Sequence, residues 1–206
     1  MRPINNIKSR GRPCGSVNPT YPLNKNQVHA LFNACVGKHG LRNRAIVALC
    51  LYSGCRIGTA VKLLTHQLVD EHGKVRPSFH MLAKNEKSRR KKTYYIAKRG
   101  QSLIQDFINS IDILEDEPMF PSSRTGGFIS PSSASRMITV LLERANIRKN
   151  SSHCLRSTFI TTLYTEKGID LLSLSMLAGH QSVECTKLYV KGLEPNIQAA
   201  MDTLSY

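Results

Sequence analysis

The sequence contains no tryptophan, no long apolar run and few acidic residues. A membrane-spanning helix needs about 20 consecutive apolar residues, and no segment approaches that length. The N-terminal segment MRPINNIKSRGRPCG is basic and has no apolar stretch behind it, which excludes a typical secretory signal. We therefore expect an intracellular protein with no membrane partner.

The six cysteines form neither a CxxC pair nor a short repeated spacing. Cys35, Cys50 and Cys55 lie in apolar stretches typical of helices, where free thiols behave as small hydrophobic groups. With 206 residues and 41% hydrophobic content, the chain can build a core without disulfides. We expect a reducing compartment, free thiols and one globular domain.

Acidic residues are outnumbered: 14 Asp and Glu stand against 29 Lys and Arg, which gives a net charge of +15. This excess favours a polyanionic partner, with double-stranded DNA ahead of an anionic membrane surface. The basic residues concentrate in residues 84–99. A charge run is ordinarily a solvated face, but this density favours phosphate contact. The candidate DNA-binding residues are Lys87, Arg89, Arg90, Lys91 and Lys92.

Hydrophobic periodicity predicts a mainly α protein with one small antiparallel β-sheet, an α+β fold. Residues 1–20 are expected to form a basic flexible tail or linker, because they combine proline, glycine and cations with little apolar content. Two β-prone runs within residues 75–97 predict a hairpin. Helices are predicted at about 24–36, 41–54, 57–64, 98–111, 133–145, 152–168 and 170–179. The predicted N-caps are Asn24 and Ser152, and the predicted stops are Gly54, Gly168 and Gly179.

Three short stretches carry candidate chemistry, and each has an ordinary alternative. In HCLR, His153 and Arg156 share a helical face near an N-terminus, which favours an anion; a solvated helix face is the alternative. Arg56 follows a helix that Gly54 ends, so it either caps that helix or binds an anion. Lys84 lies in the hairpin, where ordinary solvated lysines are the alternative.

The stretch LAGHQSVECTKLYVKG places His180 nine residues before Tyr189. One uninterrupted helix would put these rings on opposite faces. However, Gly179 predicts a helix end and Ser182 predicts a new N-cap, so a break separates the two residues. For Tyr189 taken alone, the alternative is a packing aromatic beside Leu188 and Val190.

Taken together, these stretches resemble the catalytic domain of the tyrosine recombinases, the phage integrase family. Arg56, a hairpin lysine, HCLR, LAGH and a tyrosine nine residues further on occur in the family's order over residues 21–191. The flanking segment LRNRAIVALCLYSGCRI is also similar to the family's helix before its first arginine. The resemblance implies the fold of the tyrosine recombinase catalytic domain. It also implies that the protein is a site-specific DNA recombinase.

The resemblance implies that Tyr189 is the nucleophile, which attacks a DNA phosphodiester to give a 3′-phosphotyrosyl link and a free 5′-hydroxyl. A phenol has a pKa of about 10, so it needs a base or nearby positive charge at neutral pH. By resemblance, His153 and His180 hydrogen-bond the phosphate, and His153 accepts the tyrosine proton.

The resemblance also assigns the cations. Arg56 and Arg156 would hold the nonbridging phosphate oxygens, which guanidinium groups match in charge and geometry. Lys84 would protonate the leaving 5′-oxygen, with Lys87 as the alternative. Because the covalent link conserves the phosphodiester energy, we expect no cofactor and no metal. The sequence agrees, since it contains no DxD, HExxH or P-loop motif.

The sequence also departs from the family. Many relatives carry an acidic residue where this chain has Thr59, so the active-site charges need a different support. Most relatives carry a helical core-binding domain before the catalytic domain, which residues 1–20 are too short to form; a naturally minimal recombinase and the catalytic half of a longer protein both fit. Residues 192–206 are predicted to form a C-terminal helix that docks on a neighbouring subunit or on its own domain.

The expected partner is double-stranded DNA, bound by a homo-oligomer, a tetramer on paired sites; a need for accessory proteins is left open. Two alternatives to the recombinase are a monomeric type IB topoisomerase-like enzyme and a DNA-binding protein that uses the fold without chemistry.

Overall fold

The computed structural model describes residues 20–81, 91–112, 116–180 and 182–190. Within these ranges, the elements are, in chain order, α1 (Lys25–Asn33), α2 (Gly40–Ser53), α3 (Ile57–Ala60), α4 (Thr65–Leu68), β1 (Ser78–Met81), β2 (Lys92–Tyr95), α5 (Lys98–Ile108), α6 (Pro131–Arg144), α7 (His153–Lys167), α8 (Leu171–Ala178) and α9 (Val183–Val190). The predicted fold class, mainly α with a small antiparallel sheet, is confirmed. None of the helices in these ranges is long and apolar enough to span a bilayer.

Helix α2 forms the centre of the core, and its residues from Ala45 to Leu49 are fully buried. The segment is apolar on all faces, so a helix here hides apolar surface in every direction. Helices α5 and α7 pack against it. A Cβ on Gly100 of α5 would lie 2.6 Å from the Cβ of Tyr52, so glycine permits this close approach. The predicted stop is confirmed: Gly54 follows α2 in the left-handed conformation, with φ +66°.

The hairpin adds its inner face to the same core. Strand β1 pairs antiparallel with β2, with Phe79 opposite Tyr94. Both side chains are buried, and their rings stack with centroids 5.1 Å apart. Residues 82–90, between the strands, lie outside the described residues. Four predicted site residues fall there: Lys84, Lys87, Arg89 and Arg90.

The cap predictions have mixed outcomes. Asn24 and Gln27 form the predicted capping box at the start of α1. The predicted side-chain cap at Ser152 is wrong, because its backbone is already helical and its hydroxyl lies 3.3 Å from that of Ser135. The helix predicted over 57–64 ends at Ala60, since the Leu63 carbonyl accepts a hydrogen bond from the Met119 N–H outside any helix.

Helices α7, α8 and α9 share a second, smaller apolar cluster: Ile160, Leu174, Ala178 and Val190. Gly168 ends α7 and Gly179 ends α8, both in the left-handed conformation and both as predicted. The ends of α2 and α8 and the start of α7 carry the candidate site residues described below.

The described cysteines are free thiols, as predicted. Cys50 and Cys55 are buried, and burial raises the pKa of Cys154 to about 12. Burial also raises the pKa of Cys35 to about 11. These thiols therefore act as small hydrophobic groups.

Candidate active site

Arg156 joins the ends of two helices near the start of α7, and only 2% of it is exposed. Its Nη1 donates to the Gly54 carbonyl and its Nη2 to the Ala178 carbonyl, both at 2.6 Å. These carbonyls lie at the C-terminal ends of α2 and α8, where the helix dipole favours a cation. The backbone thus supports this buried charge, and no described salt bridge brings a carboxylate to it.

One nitrogen of the Arg156 guanidinium makes no hydrogen bond within the described residues. The Nε atom is buried and has no hydrogen-bond acceptor among the described residues. Burial lowers the pKa of Arg156, and the charge of Arg56 lowers it further, whereas Tyr189 acts in the opposite direction. An anion near this guanidinium would relieve both costs, because a buried charged donor is stabilised by an acceptor of opposite charge.

Arg56 directly precedes α3 in an extended conformation, with φ −73° and ψ 149°. It stands two residues after Gly54, whose left-handed backbone turns the chain out of α2. The charge of Arg56 lowers the pKa of both Arg156 and His180. The two arginines predicted to hold phosphate therefore belong to one electrostatic cluster.

The rings of His180 and Tyr189 stack, with centroids 5.5 Å apart and planes inclined by 9°. The predicted break makes this possible, because Gly179 ends α8 and α9 begins at Val183. The Tyr189 carbonyl accepts a 3.2 Å hydrogen bond from the Thr161 hydroxyl of α7. Its side chain also packs against the α7–α9 apolar cluster, so Tyr189 is both a packing aromatic and the partner of His180.

His180 is held in place by a buried hydroxyl, since its Nδ1 lies 2.8 Å from Oγ1 of Thr186. Its pKa is lowered to about 3, first by burial and then by the cations Arg156, Arg56 and Lys92. The imidazole is therefore neutral near pH 7. When the Thr186 hydroxyl donates to Nδ1, the ring proton lies on Nε2, which is then a donor for an anion.

Lys92 is the one described member of the predicted DNA-binding run whose ammonium turns inward. Its Nζ is buried and lies 4.1 Å from the centroid of the Tyr94 ring. A Cβ on Gly179 would lie 2.8 Å from the same Nζ, so the ammonium rests against the connector before His180. Lys91, its neighbour, is exposed. The run is therefore not one uniform surface.

The remaining predicted catalytic residues are His153, which is exposed, and Lys84, which lies outside the described residues. His153 is the exposed first residue of α7, three positions before Arg156. Lys84 lies within residues 82–90, so its predicted role stays a prediction. In the described ranges, no group of three or more His, Cys, Asp or Glu could hold a metal ion.

Sequence reasoning missed one contributor to the site, Thr186, and assigned another, Lys92, to the DNA-binding run. Thr186 is fully buried beneath His180, and an i, i+6 pair across a helix break has no sequence signal. Lys92 did have a signal: alternation along β2 puts it on the same side as Tyr94, two residues away, which is buried.

A sequence profile of the phage integrase family matches residues 22–194. The chain belongs to the phage integrase family. Among curated relatives, tyrosine recombinase XerH of Campylobacter jejuni is 27% identical over 169 residues, which cover 80% of this chain and 45% of the relative. Tyrosine recombinase XerC of Myxococcus xanthus is 31% identical over 177 residues, which cover 80% of this chain and 55% of the relative. The chain thus spans about half the length of these curated members of the family.

Solved structures of the family share the fold. The XerA recombinase superposes with a TM-score of 0.70 at 24% identity, over 92% of this chain and 68% of that one. XerH bound to its difH substrate gives a TM-score of 0.68 at 20% identity, over 97% and 57% of the two chains. The catalytic domain of bacteriophage HP1 integrase gives 0.60 at 21% identity, over 90% and 95%. The predicted catalytic-domain fold is confirmed.

Proposed function

We propose that this chain is the catalytic domain of a site-specific DNA recombinase that cleaves and rejoins strands through a 3′-phosphotyrosyl intermediate. The observation that carries the proposal is the stacking of Tyr189 on His180 beside the buried guanidinium of Arg156. A phenol, a neutral imidazole and an uncommitted guanidinium donor together are suited to phosphoryl transfer. Family membership supports the same chemistry.

In the proposed cleavage step, the Tyr189 hydroxyl oxygen attacks the scissile phosphorus. A phosphorus–oxygen bond forms to tyrosine, and the bond to the 5′-oxygen breaks. The phenolic proton passes to His153, and Lys84, or Lys87 as the alternative, supplies a proton to the 5′-oxygen. Rejoining is the reverse, with a 5′-hydroxyl displacing Tyr189. Atoms and charges balance without a cofactor or a metal.

Three groups would stabilise the charge that develops on the phosphate. Arg56 and the Nε–H of Arg156 are proposed to donate to nonbridging oxygens. His180 is proposed to donate from Nε2, since Thr186 can hold Nδ1 as an acceptor. Many relatives carry an acid at the position of Thr59, which would support the charges of the active site. In this chain, the carbonyls of Gly54 and Ala178 are proposed to support the charge of Arg156 instead.

Double-stranded DNA is the proposed substrate, in line with the net charge of +15. The two curated relatives above are named as tyrosine recombinases, and solved neighbours are described as bound to a difH substrate and to a circular intermediate DNA. By extension, a homotetramer on paired sites is proposed as the active assembly. The predicted docking helix lies in residues 192–206, outside the described residues.

The test is covalent capture of DNA. Wild-type protein is incubated with a library of nicked duplexes that carry a randomised central segment, and adducts are recovered under denaturing conditions. We expect an adduct with wild type and none with Tyr189→Phe, whereas Tyr95→Phe serves as a control because Tyr95 is an exposed tyrosine on β2. An adduct that survives Tyr189→Phe would reject the nucleophile.

The DNA sequence recovered from the adduct is then used to separate the alternative functions. Two copies of this DNA sequence are placed in one supercoiled plasmid. Recombination between the copies supports the recombinase, and relaxation without recombination supports a topoisomerase-like enzyme. Specific binding without any adduct would support a DNA-binding protein that has no chemistry.

A further inference from the structure

Lys92 occupies a position that the proposed chemistry does not use. It is the first residue of β2, yet its ammonium reaches the connector between α8 and α9. The ammonium lies over the face of the Tyr94 ring, 4.1 Å from its centroid, and against the backbone of Gly179. Aromatic faces attract cations at this distance, and more strongly where water is excluded. The Nζ is buried, so this contact belongs to the interior.

The contact requires a glycine at position 179, because a side chain there would collide with Lys92. The φ of +64° at this position already favours glycine, and a Cβ there would lie 2.8 Å from Nζ and 2.9 Å from Cδ of Lys92. Lys92 therefore fills the space that the missing side chain leaves open. The next residue is His180, so the ammonium of Lys92 meets the chain immediately before the imidazole that stacks on Tyr189.

We propose that Lys92 is a positioning residue of the active site: it fixes the α8–α9 connector against β2 and thereby sets the orientation of His180 against the Tyr189 ring. The proposal rests on the proposed function only where DNA cleavage is measured. Among the described residues, the charged and titratable groups that bear on His180 are Arg56 before α3, Lys92 on β2, Arg156 on α7 and Tyr189 on α9. Lys92 is the member that the sequence predicted as a DNA-binding residue.

The first experiment needs no DNA. The imidazole signals of His180 are titrated by NMR in wild type, Lys92→Met, Lys92→Arg and Lys74→Met, where the exposed Lys74 is the matched control for lost charge. Because a nearby cation disfavours protonation of the ring, we expect His180 to titrate at higher pH in Lys92→Met. It should titrate as in wild type in Lys74→Met and close to wild type in Lys92→Arg. Identical titration in Lys92→Met and wild type would overturn the proposal.

The contact can also be read in wild-type protein alone, so a variant that fails to fold does not remove the test. The methylene protons of Lys92 near Nζ should be shifted upfield by the Tyr94 ring and should show cross-relaxation with the Gly179 α-protons. A Lys92 side chain with solvent-like chemical shifts would contradict the proposed position.

The second experiment separates positioning from proton donation. Adduct formation is measured on a captured sequence with an oxygen or a sulfur at the bridging 5′ position, since a thiolate leaves without a proton donor. We expect Lys92→Met to slow adduct formation at least about tenfold on both substrates. In Lys84→Met, the rate of adduct formation should be restored on the substrate with sulfur at the bridging 5′ position. Full restoration of Lys92→Met by sulfur would make Lys92 a proton donor and overturn the positioning role.

The outcomes stay distinguishable from those of the proposed function. If wild type forms no adduct with any library member, the proposed function fails, while the His180 titration still decides whether Lys92 acts on that ring. If wild type forms adducts and Lys92→Met forms them at the same rate, the proposed function stands and the proposal for Lys92 fails.

Discussion

His180 and Tyr189 stack face to face, with ring centroids 5.5 Å apart. Two short helices create this contact, because α8 ends at a left-handed Gly179 and α9 begins only at Val183. The backbone N–H of His180 also bonds to the Ser175 carbonyl, which fixes the first residue after the turn. The distance between the two rings therefore depends on a few local interactions, and each can be altered separately.

Thr186 offers the most direct test of how His180 is oriented. Thr186→Val keeps the shape of this buried residue but removes the hydroxyl that lies 2.8 Å from Nδ1. We expect adduct formation to slow roughly 10- to 100-fold, because a small misplacement of a reacting group costs about that much. Thr186→Ser retains the hydroxyl and should stay much closer to wild type. Equal rates for the valine and serine variants would show that the hydroxyl does not orient His180.

Local chemistry made much of this fold predictable. Asn24 with Gln27 starts a helix, and Gly54 and Gly179 end helices, because caps and left-handed glycines act within a few residues. The family order of motifs likewise predicted that Arg56, Arg156, His180 and Tyr189 would lie together, and the structure brings them into one cluster.

Long-range packing decided the rest. The two carbonyls that accept hydrogen bonds from Arg156 lie 102 and 22 residues away in the chain, so no local sequence pattern could predict them. The inward position of Lys92 could not be predicted from the basic composition of its segment, because a cation inside a basic run is normally solvated. Only its place on β2, on the same side of the strand as the buried Tyr94 two residues further on, distinguishes it from Lys91.

The low pKa of His180 predicts a pH dependence of stability. Burial and nearby cations lower this pKa from 6.5 to about 3, so the unfolded chain binds the proton more readily than the folded protein. The free energy of unfolding should therefore fall as pH drops from about 6.5 towards about 3. His180→Gln cannot take up this proton, so it should lose less stability than wild type between about pH 7 and about pH 5. Denaturant unfolding at both pH values measures the difference. The same loss in both proteins would mean that His180 protonates freely in the folded state.

Arg156 should contribute to stability as well as to cleavage. Arg156→Met leaves the Gly54 and Ala178 carbonyls without their donors, and each buried unsatisfied acceptor costs about 1–3 kcal/mol. Removing a desolvated charge offsets part of this, so we expect a net loss of about 2–4 kcal/mol in urea unfolding. Arg156→Lys should recover part of it, because one ammonium cannot reproduce both arms of a guanidinium.

The control for Arg156 is Arg148→Met, which removes the same charge from an exposed position and should change stability by less than about 0.5 kcal/mol. Both Arg156 variants should also lose adduct formation. Wild-type stability in Arg156→Met would contradict the structural role, whatever its cleavage rate.

Three glycines that end helices should differ in their sensitivity to alanine. Gly168, Gly179 and Gly54 have nearly the same φ, from +63° to +66°, so each alanine carries a similar left-handed strain of about 1–2 kcal/mol. A Cβ on Gly168 meets no described atom within 4 Å, so Gly168→Ala should lose only that amount. A Cβ on Gly179 meets the flexible end of Lys92, and one on Gly54 would lie 2.4 Å from the ring of Phe159. Urea unfolding should therefore rank the losses Gly168→Ala, Gly179→Ala and Gly54→Ala in increasing order.

A double-mutant cycle isolates the contact between Lys92 and position 179, which accounts for the intermediate stability loss expected for Gly179→Ala. In a Lys92→Ala background, the side chain that crowds position 179 is gone, so Gly179→Ala should lose no more stability than Gly168→Ala does. The same background should leave the loss from Gly54→Ala unchanged, because that loss arises from Phe159. If the excess loss of Gly179→Ala persists without Lys92, then the excess does not arise from Lys92, and the contact between Lys92 and Gly179 is contradicted.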